Sequence, residues 1–207
     1  ATNQDQEGVD VGREHGVLEA QANSLINLGI DYTRGEQRGD PLPVFREVED
    51  IFNRDAWFRW RYNIRLQAAL TEHWLKQGDA DKAVQFAHRL RETAVENEAW
   101  KYVAVADNLL ARNAIARGNL AEGVTCMEAA LEKLRLHPCP IVTWKIESAC
   151  GRAFAELGER PKATAAFERA AAIVHEIAGH IADEQLRTTF LTSPAVRDVI
   201  EPPDLTT

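Results

Sequence analysis

The chain has 207 residues, of which 45% are apolar and 27% charged, with a formal net charge of −8. That apolar share suffices for a continuous core and is too high for a disordered chain, and the acidic balance excludes a general nucleic-acid binder, which carries a basic excess. No run approaches the ~18 uninterrupted apolar residues of a membrane span, so no membrane partner is expected.

Cys126, Cys139 and Cys150 form neither a disulfide framework nor the paired spacing of a structural zinc site, so reduced thiols in the cytoplasm are expected. The chain starts at Ala1 rather than Met and reads as a processed or excised piece.

Residues 1–13 are polar, include Gly8 and Gly12, and are expected as a disordered tail before a folded region over 14–200, with 201–207 a second tail. Inside that region Gly39-Asp40, Gly78-Asp79, Gly118-Asn119 and Gly158-Glu159 recur at nearly equal steps along the chain. A fixed period of this length marks a repeat architecture. Before the last three glycines stand Leu70, Thr71 and Trp74, then Leu110, Ala111 and Ala114, then Cys150, Gly151 and Phe154. The first set, Leu28, Gly29 and Tyr32, is displaced by three residues, which a longer turn through Gly35, Glu36, Gln37 and Arg38 absorbs.

Five residues after each Gly come Val44, Ala83, Gly123 and Ala163. Four and seven residues further lie Val48 and Ile51, Ala87 and Leu90, Met127 and Ala130, and Phe167 and Ala170, each group on one helical face. Each unit therefore reads as helix, tight turn, helix. The Gly supplies the left-handed backbone that ends one helix, and the Asp, Asn or Glu favours the start of the next.

Trp60-Arg61-Tyr62 returns one period later as Trp100-Lys101-Tyr102. That recurrence predicts helix packing for these aromatics. The nucleic-acid stacking suggested by Arg54, Trp57, Arg59, Trp60, Arg61, Tyr62 and Arg65 is the weaker alternative. Pro138 and Pro140 interrupt the chain before the fourth unit, and Pro161 suits the first turn of a long last helix running from Lys162 to about Ile181 as a cap. Ser193-Pro194 opens a short terminal helix, which Glu201-Pro202-Pro203 stops.

The pattern resembles the tetratricopeptide repeat. Leu25, Leu28, Gly29 and Tyr32 match the first-helix half of its motif, and Ala163, Phe167 and Ala170 match the second half. The period of about 40 exceeds the usual ~34 and resembles the long-repeat variant in C-terminal arrays of large bacterial regulatory proteins. The resemblance implies an all-α fold, a right-handed α-α superhelix of about four helical hairpins plus a C-terminal capping helix. It also implies a protein–protein or peptide interaction module, a scaffold forming a regulatory part of a larger protein or complex. A second reading is a small-molecule or signalling-peptide sensor controlling an attached effector domain.

In that family the first helices line a concave groove. Carried over by position, the groove-facing residues are Asn23, Ile26 and Ile30; Arg65, Ala68 and Glu72; Val105, Asn108 and Arg112; and Lys145, Ser148 and Arg152. The polar candidates are Asn23, Arg65, Asn108, Arg112, Lys145, Ser148 and Arg152. Arg and Lys in such a file suit the carboxylates or phosphates of an extended acidic peptide segment, with Asn pairing to its backbone. The Lys/Asn clamp of chaperone-binding members is not reproduced, so that ligand does not carry over.

Nothing points to an enzyme or a cofactor. His175-Glu176 followed by His180 misses the metalloprotease spacing by one residue, and five residues turn a helix by about 500°, so the imidazoles diverge by about 140°. His137, Cys139 and Cys126 lack a fourth ligand.

Overall fold

The computed structural model describes residues 2–35, 38–54 and 57–201. They form α1 (Thr2–His15), α2 (Leu18–Arg34), α3 (Pro41–Phe52), α4 (Arg59–Lys76), α5 (Ala80–Glu96), α6 (Trp100–Ala116), α7 (Leu120–Leu136), α8 (Pro140–Glu156), α9 (Arg160–Gly179), α10 (Glu184–Thr192) and α11 (Pro194–Ile200). Among the described residues there is no strand and no helix long and apolar enough to cross a membrane. The fold is an all-α helical repeat in which consecutive helices pack as hairpins. It divides into two compact units, Ala1–Tyr102 and Val103–Thr207.

The turns inside the hairpins follow one design. Gly78 takes φ +74°, its N–H donates to Leu75 O at 3.1 Å, and the Asp79 N–H donates to Trp74 O at 3.0 Å. Gly118 with Asn119, and Gly158 with Glu159, repeat both bonds and the positive φ. These bonds satisfy the last carbonyls of the preceding helix. The Asp79 side chain then caps α5, accepting from the Lys82 N–H at 3.1 Å, whereas Asn119 and Glu159 make no such bond. The turn between α5 and α6 uses the same two bonds with Glu98 at φ +52° in place of glycine. The helices from α5 to α9 begin at Ala80, Trp100, Leu120, Pro140 and Arg160, so each repeat is two equal halves.

The N-terminal unit corrects the phase of the first hairpin. Its α3 buries Val48 and Ile51, as expected, together with Pro41, Phe45 and Phe52; Pro41, Phe45, Val48 and Phe52 have the same internal spacing as the buried Ala83, Ala87, Leu90 and Ala94 of α5. Val44, expected at the crossing, is only part-buried. The three-residue displacement seen at Leu28, Gly29 and Tyr32 thus persists through the second helix. It does so because α2 ends at Gly35, with φ +81°, and α3 starts only at Pro41, after the Asp40 cap. Glu36 and Gln37 of the expected longer turn lie outside the described residues. Gly39 has a different use: a Cβ there would stand 2.6 Å from the Tyr32 ring.

Most of the segment expected as a disordered tail is α1. Val9 on α1 is 1% exposed within the core of Leu25, Phe45 and Leu66. Gly8 and Gly12, one turn apart, let α1 lie close on α2: a Cβ at Gly8 would meet Ser24 Oγ at 2.4 Å, and one at Gly12 would meet Gln21 Cγ at 2.8 Å. The Gln21 side chain donates to Gly12 O at 2.8 Å, and Arg13 pairs with Glu47 of α3 at 2.7 Å.

In the C-terminal unit the expected register holds. Gly123, Met127, Ala130 and Leu134 of α7 are buried, as are Ala163, Phe167, Ala170 and Val174 of α9. Large faces small across each crossing: a Cβ on Gly151 would stand 2.9 Å from Phe167, and one on Gly123 2.5 Å from Ile115. The long last helix is α9, with Pro161 in its first turn. Its outer side is covered by α11, whose Val196 and Val199 join Trp144, Ala170 and Val174. Ser193 precedes α11 as expected, although its side chain makes no cap bond there. The expected stop at Pro202-Pro203 and the rest of the second tail after Glu201 lie outside the described residues.

Candidate functional site

The seven polar candidates divide between the units and behave differently in each. In the N-terminal unit, α2 carries Asn23 and α4 carries Arg65, and the structure brings them together. The Arg65 guanidinium donates to Asn23 Oδ1 and, at 2.8 Å, to Asn27 Oδ1, while Asn27 donates to Asp5 Oδ1 of α1 at 3.0 Å. Arg65 also lies 5.8 Å from the Tyr62 ring centroid. The Tyr62 hydroxyl donates to Glu19 at 2.9 Å, and Arg61 reaches the same carboxylate oxygen at 3.2 Å. Asn23 and Arg65 are thus spent on tying α2 to α4, with α1 closing the chain of bonds. Ile26, placed on the same face by family position, is fully buried.

In the C-terminal unit, α6 holds Asn108 and Arg112, both half-buried, and α8 holds Lys145, Ser148 and Arg152. Lys145 and Arg152 are seven positions apart, hence within about 20° of one another around the helix, and both are exposed. Lys145 Nζ sits 5.5 Å from the Trp144 ring centroid. Ser148, between them, is 1% exposed and belongs to the helix contact, not to an open face. Its Oγ and Asn108 Oδ1 are buried without a hydrogen-bond partner among the described residues, and the two residues share one repeat position. Such buried oxygens are costly until a donor reaches them.

Sequence reasoning missed the residues immediately before them. Asp107 and Glu147 are both buried, and each pairs with a base on the second helix of its own hairpin. Lys133 Nζ lies 2.7 Å from Asp107 Oδ2, and Arg169 grips both Glu147 oxygens at 2.8 Å. The Glu147 hydrogen bond holds the Arg169 guanidinium above its usual pKa. The signal was present: acids recur one period apart just ahead of Asn108 and Ser148. Lys145 and Arg152 are exposed on one face of α8, which exposed Glu156 shares.

The aromatic segment departs from expectation. Phe58 is buried, but Trp57 is 78% exposed and Trp60 44% exposed, so recurrence with Trp100 does not make Trp60 a core residue. Asp55 and Ala56 lie outside the described residues.

Elsewhere, His175, Glu176 and His180 are exposed, and no three metal-ligating side chains converge among the described residues. An open concavity near the C-terminal end is lined by Thr192, Pro194, Arg197, Asp198 and Glu201, with no aromatic side chain among these. The cysteines are all unbridged. Burial pushes the Cys150 thiol up to about 12 and also raises Cys126.

No protein-family model matches the sequence and no curated protein matches it, so the family resemblance rests on the repeat residues themselves.

Proposed function

We propose that this chain is a protein-binding module of the tetratricopeptide type, a regulatory part of a larger protein or complex. In this reading the first helices of the C-terminal hairpins hold an extended acidic segment of a partner. The observation that carries it is the face of α8, where Lys145 and Arg152 stand exposed within about 20° of each other. Arg112 occupies the position on α6 that matches Arg152 on α8. Guanidinium groups in successive registers suit carboxylates spaced along a peptide. The unbridged thiols favour a reducing compartment, the cytoplasm.

An array of Asp- and Glu-containing peptides, titrated by fluorescence anisotropy, tests this. Arg112→Glu with Arg152→Glu should weaken the best binder at least a hundredfold, since each charge-assisted contact contributes roughly 1.5–3 kcal/mol. Binding by the parent should also fall as salt rises. Equal binding by parent and double variant at low salt would sink the reading.

A further inference from the structure

The last two helices join the rest of the C-terminal unit by apolar contact alone. From Asp183 to Glu201, among the described residues, each hydrogen bond and ion pair stays inside the segment. Asp183 Oδ1 accepts from the Leu186 N–H at 2.9 Å, Ser193 Oγ donates to Phe190 O at 2.7 Å, Arg187 pairs with Glu184, and Arg197 pairs with Glu201. The hairpins before it are made differently: Asp107 and Lys133 tie α6 to α7, and Glu147 and Arg169 tie α8 to α9.

The apolar hold on the segment is small. Helix α10 has no fully buried residue, and its Leu186 is 62% exposed. Helix α11 buries Val196 and Val199 against Trp144, Ala170 and Val174, with Phe190, Leu191 and Ile200 part-buried beside them. A seven-residue helix does not keep its shape in water alone, so α11 is helical because it is seated. Extended backbone precedes both helices, at Asp183 with ψ 120° and at Ser193 with ψ 140°. Rotation at these two places swings the segment without breaking a helix. Few buried contacts and no polar tie mark a segment that opens well below global unfolding.

The face beneath is longer than its cover. Ala170, Ile173, Val174 and Ile177 form one stripe along the twenty-residue α9, and Ile173 and Ile177 stay part-exposed with α11 in place. The segment seated on that face also defines what fits it. Val196, Val199 and Ile200 bring branched aliphatic side chains at i, i+3 and i+4, the anchor pattern of a helix laid in a groove.

We propose that α10 and α11 form a strap that opens, and that the uncovered face of α8 and α9 receives an amphipathic helix of a partner protein. The partner presents Val or Ile at the spacing of Val196, Val199 and Ile200 and runs on past the end of α11 to cover Ile173 and Ile177. Those added contacts let it displace a segment that is already tethered beside the face. The site uses neither Arg112 nor Arg152 and does not rest on the acidic-segment reading.

The test has two parts. In hydrogen–deuterium exchange of the full chain, amides of α10 and α11 should exchange together, about a hundredfold faster than those in the middle of α8 and α9. The probe for the face is an Ala-rich helical peptide of about 15 residues with Val or Ile at i, i+3, i+4 and i+7. Its receptors are the full chain and the full chain with Val196→Asp/Val199→Asp, which frees the face, both labelled with 5-fluorotryptophan. The probe should bind the freed chain and shift the fluorine resonance of Trp144 alone. The parent should bind about tenfold more weakly, because the strap competes. A peptide of the same composition with its aliphatic residues spread around the helix should lose about tenfold or more. Four results would overturn the proposal: exchange in α10 and α11 as slow as in α8 and α9, loss of helix throughout the freed chain, a Trp144 resonance that the probe does not move, or equal binding by the shuffled peptide. A Trp144 shift that grows with protein concentration and tracks a dimer would overturn it as well, giving the face to a second copy of the chain. Arg112→Glu with Arg152→Glu should leave probe binding unchanged, so the two sites stand or fall separately.

Discussion

Gly29 offers a sharp measure of how tightly the first hairpin is joined. A Cβ on Gly29 would stand 2.2 Å from Phe45 Cε1, against ~3.5–4.0 Å for carbon atoms in comfortable contact. The overlap is more than about 1 Å. Phe45 is 2% exposed and cannot swing into solvent to relieve it. Gly29→Ala therefore sets a helix-propensity gain of about 1 kcal/mol against an overpacking cost of about 1–3 kcal/mol or more. The net expectation is a loss near 1–2 kcal/mol, read as a lower urea midpoint.

Two further variants isolate the cause. Gly179→Ala, at the exposed last position of α9 where a Cβ meets nothing within 4 Å, should be neutral or gain a few tenths of a kcal/mol. Adding Phe45→Leu to Gly29→Ala should cost less than the sum of the single changes, because the smaller side chain vacates the space the new methyl needs. Gly29→Ala as stable as the parent, or a purely additive pair, would refute the claim that Gly29 exists to admit Phe45.

Glu98→Gly should stabilise by about 0.5–1 kcal/mol in thermal melts, because Glu98 holds φ +52° at a helix end where Gly16, Gly35, Gly78, Gly118 and Gly158 serve after other helices, and Gly78→Ala should cost about as much through backbone strain alone. Arg169→Ala should cost about 3 kcal/mol or more in denaturant titration, leaving Glu147 charged and buried, whereas Glu147→Gln should cost less because the half-exposed Arg169 turns to water. Cys150, its thiol raised from 9.0 to about 12, should resist iodoacetamide at pH 8 until the chain unfolds, while part-exposed Cys139 reacts in the native state. Since the folded thiol keeps its proton where the unfolded one loses it, Cys150 should also make stability fall as pH rises between about 9 and 12, a slope that Cys150→Ala removes.

The repeat was legible because a left-handed turn and a close crossing each demand a small set of residues at a fixed spacing. Gly78, Gly118 and Gly158 announce three turns, and Ala163 with Phe167 announces a crossing. The first hairpin was harder. Gly39 sits near the period, and its need for glycine comes from the Tyr32 ring, not from the turn, so it drew the phase of α3 off by three. Gly8 and Gly12 are ambiguous in sequence, since the same residues that loosen a free chain let two helices touch. Trp60 shows that a period marks equivalent positions and does not decide which are covered; Trp100 is part-buried where Trp60 is open. The exposed pair Lys145 and Arg152 was readable from helical phase. The commitment of Asn23 and Arg65 to each other was not, because it depends on two helices meeting that a third separates in the chain.

The even cadence of helix starts from Ala80 to Arg160 gives the molecule a parity. Inserting or deleting a single helix together with its turn would keep every downstream turn in step but exchange the roles of the two helices in each hairpin. Residues shaped for the crossing would then face neighbours shaped for the same role. Adding or removing two such steps leaves every downstream contact as it was. Gene duplication can therefore lengthen or shorten such a chain only in pairs of helices, and half-steps are eliminated by folding before function is ever tested.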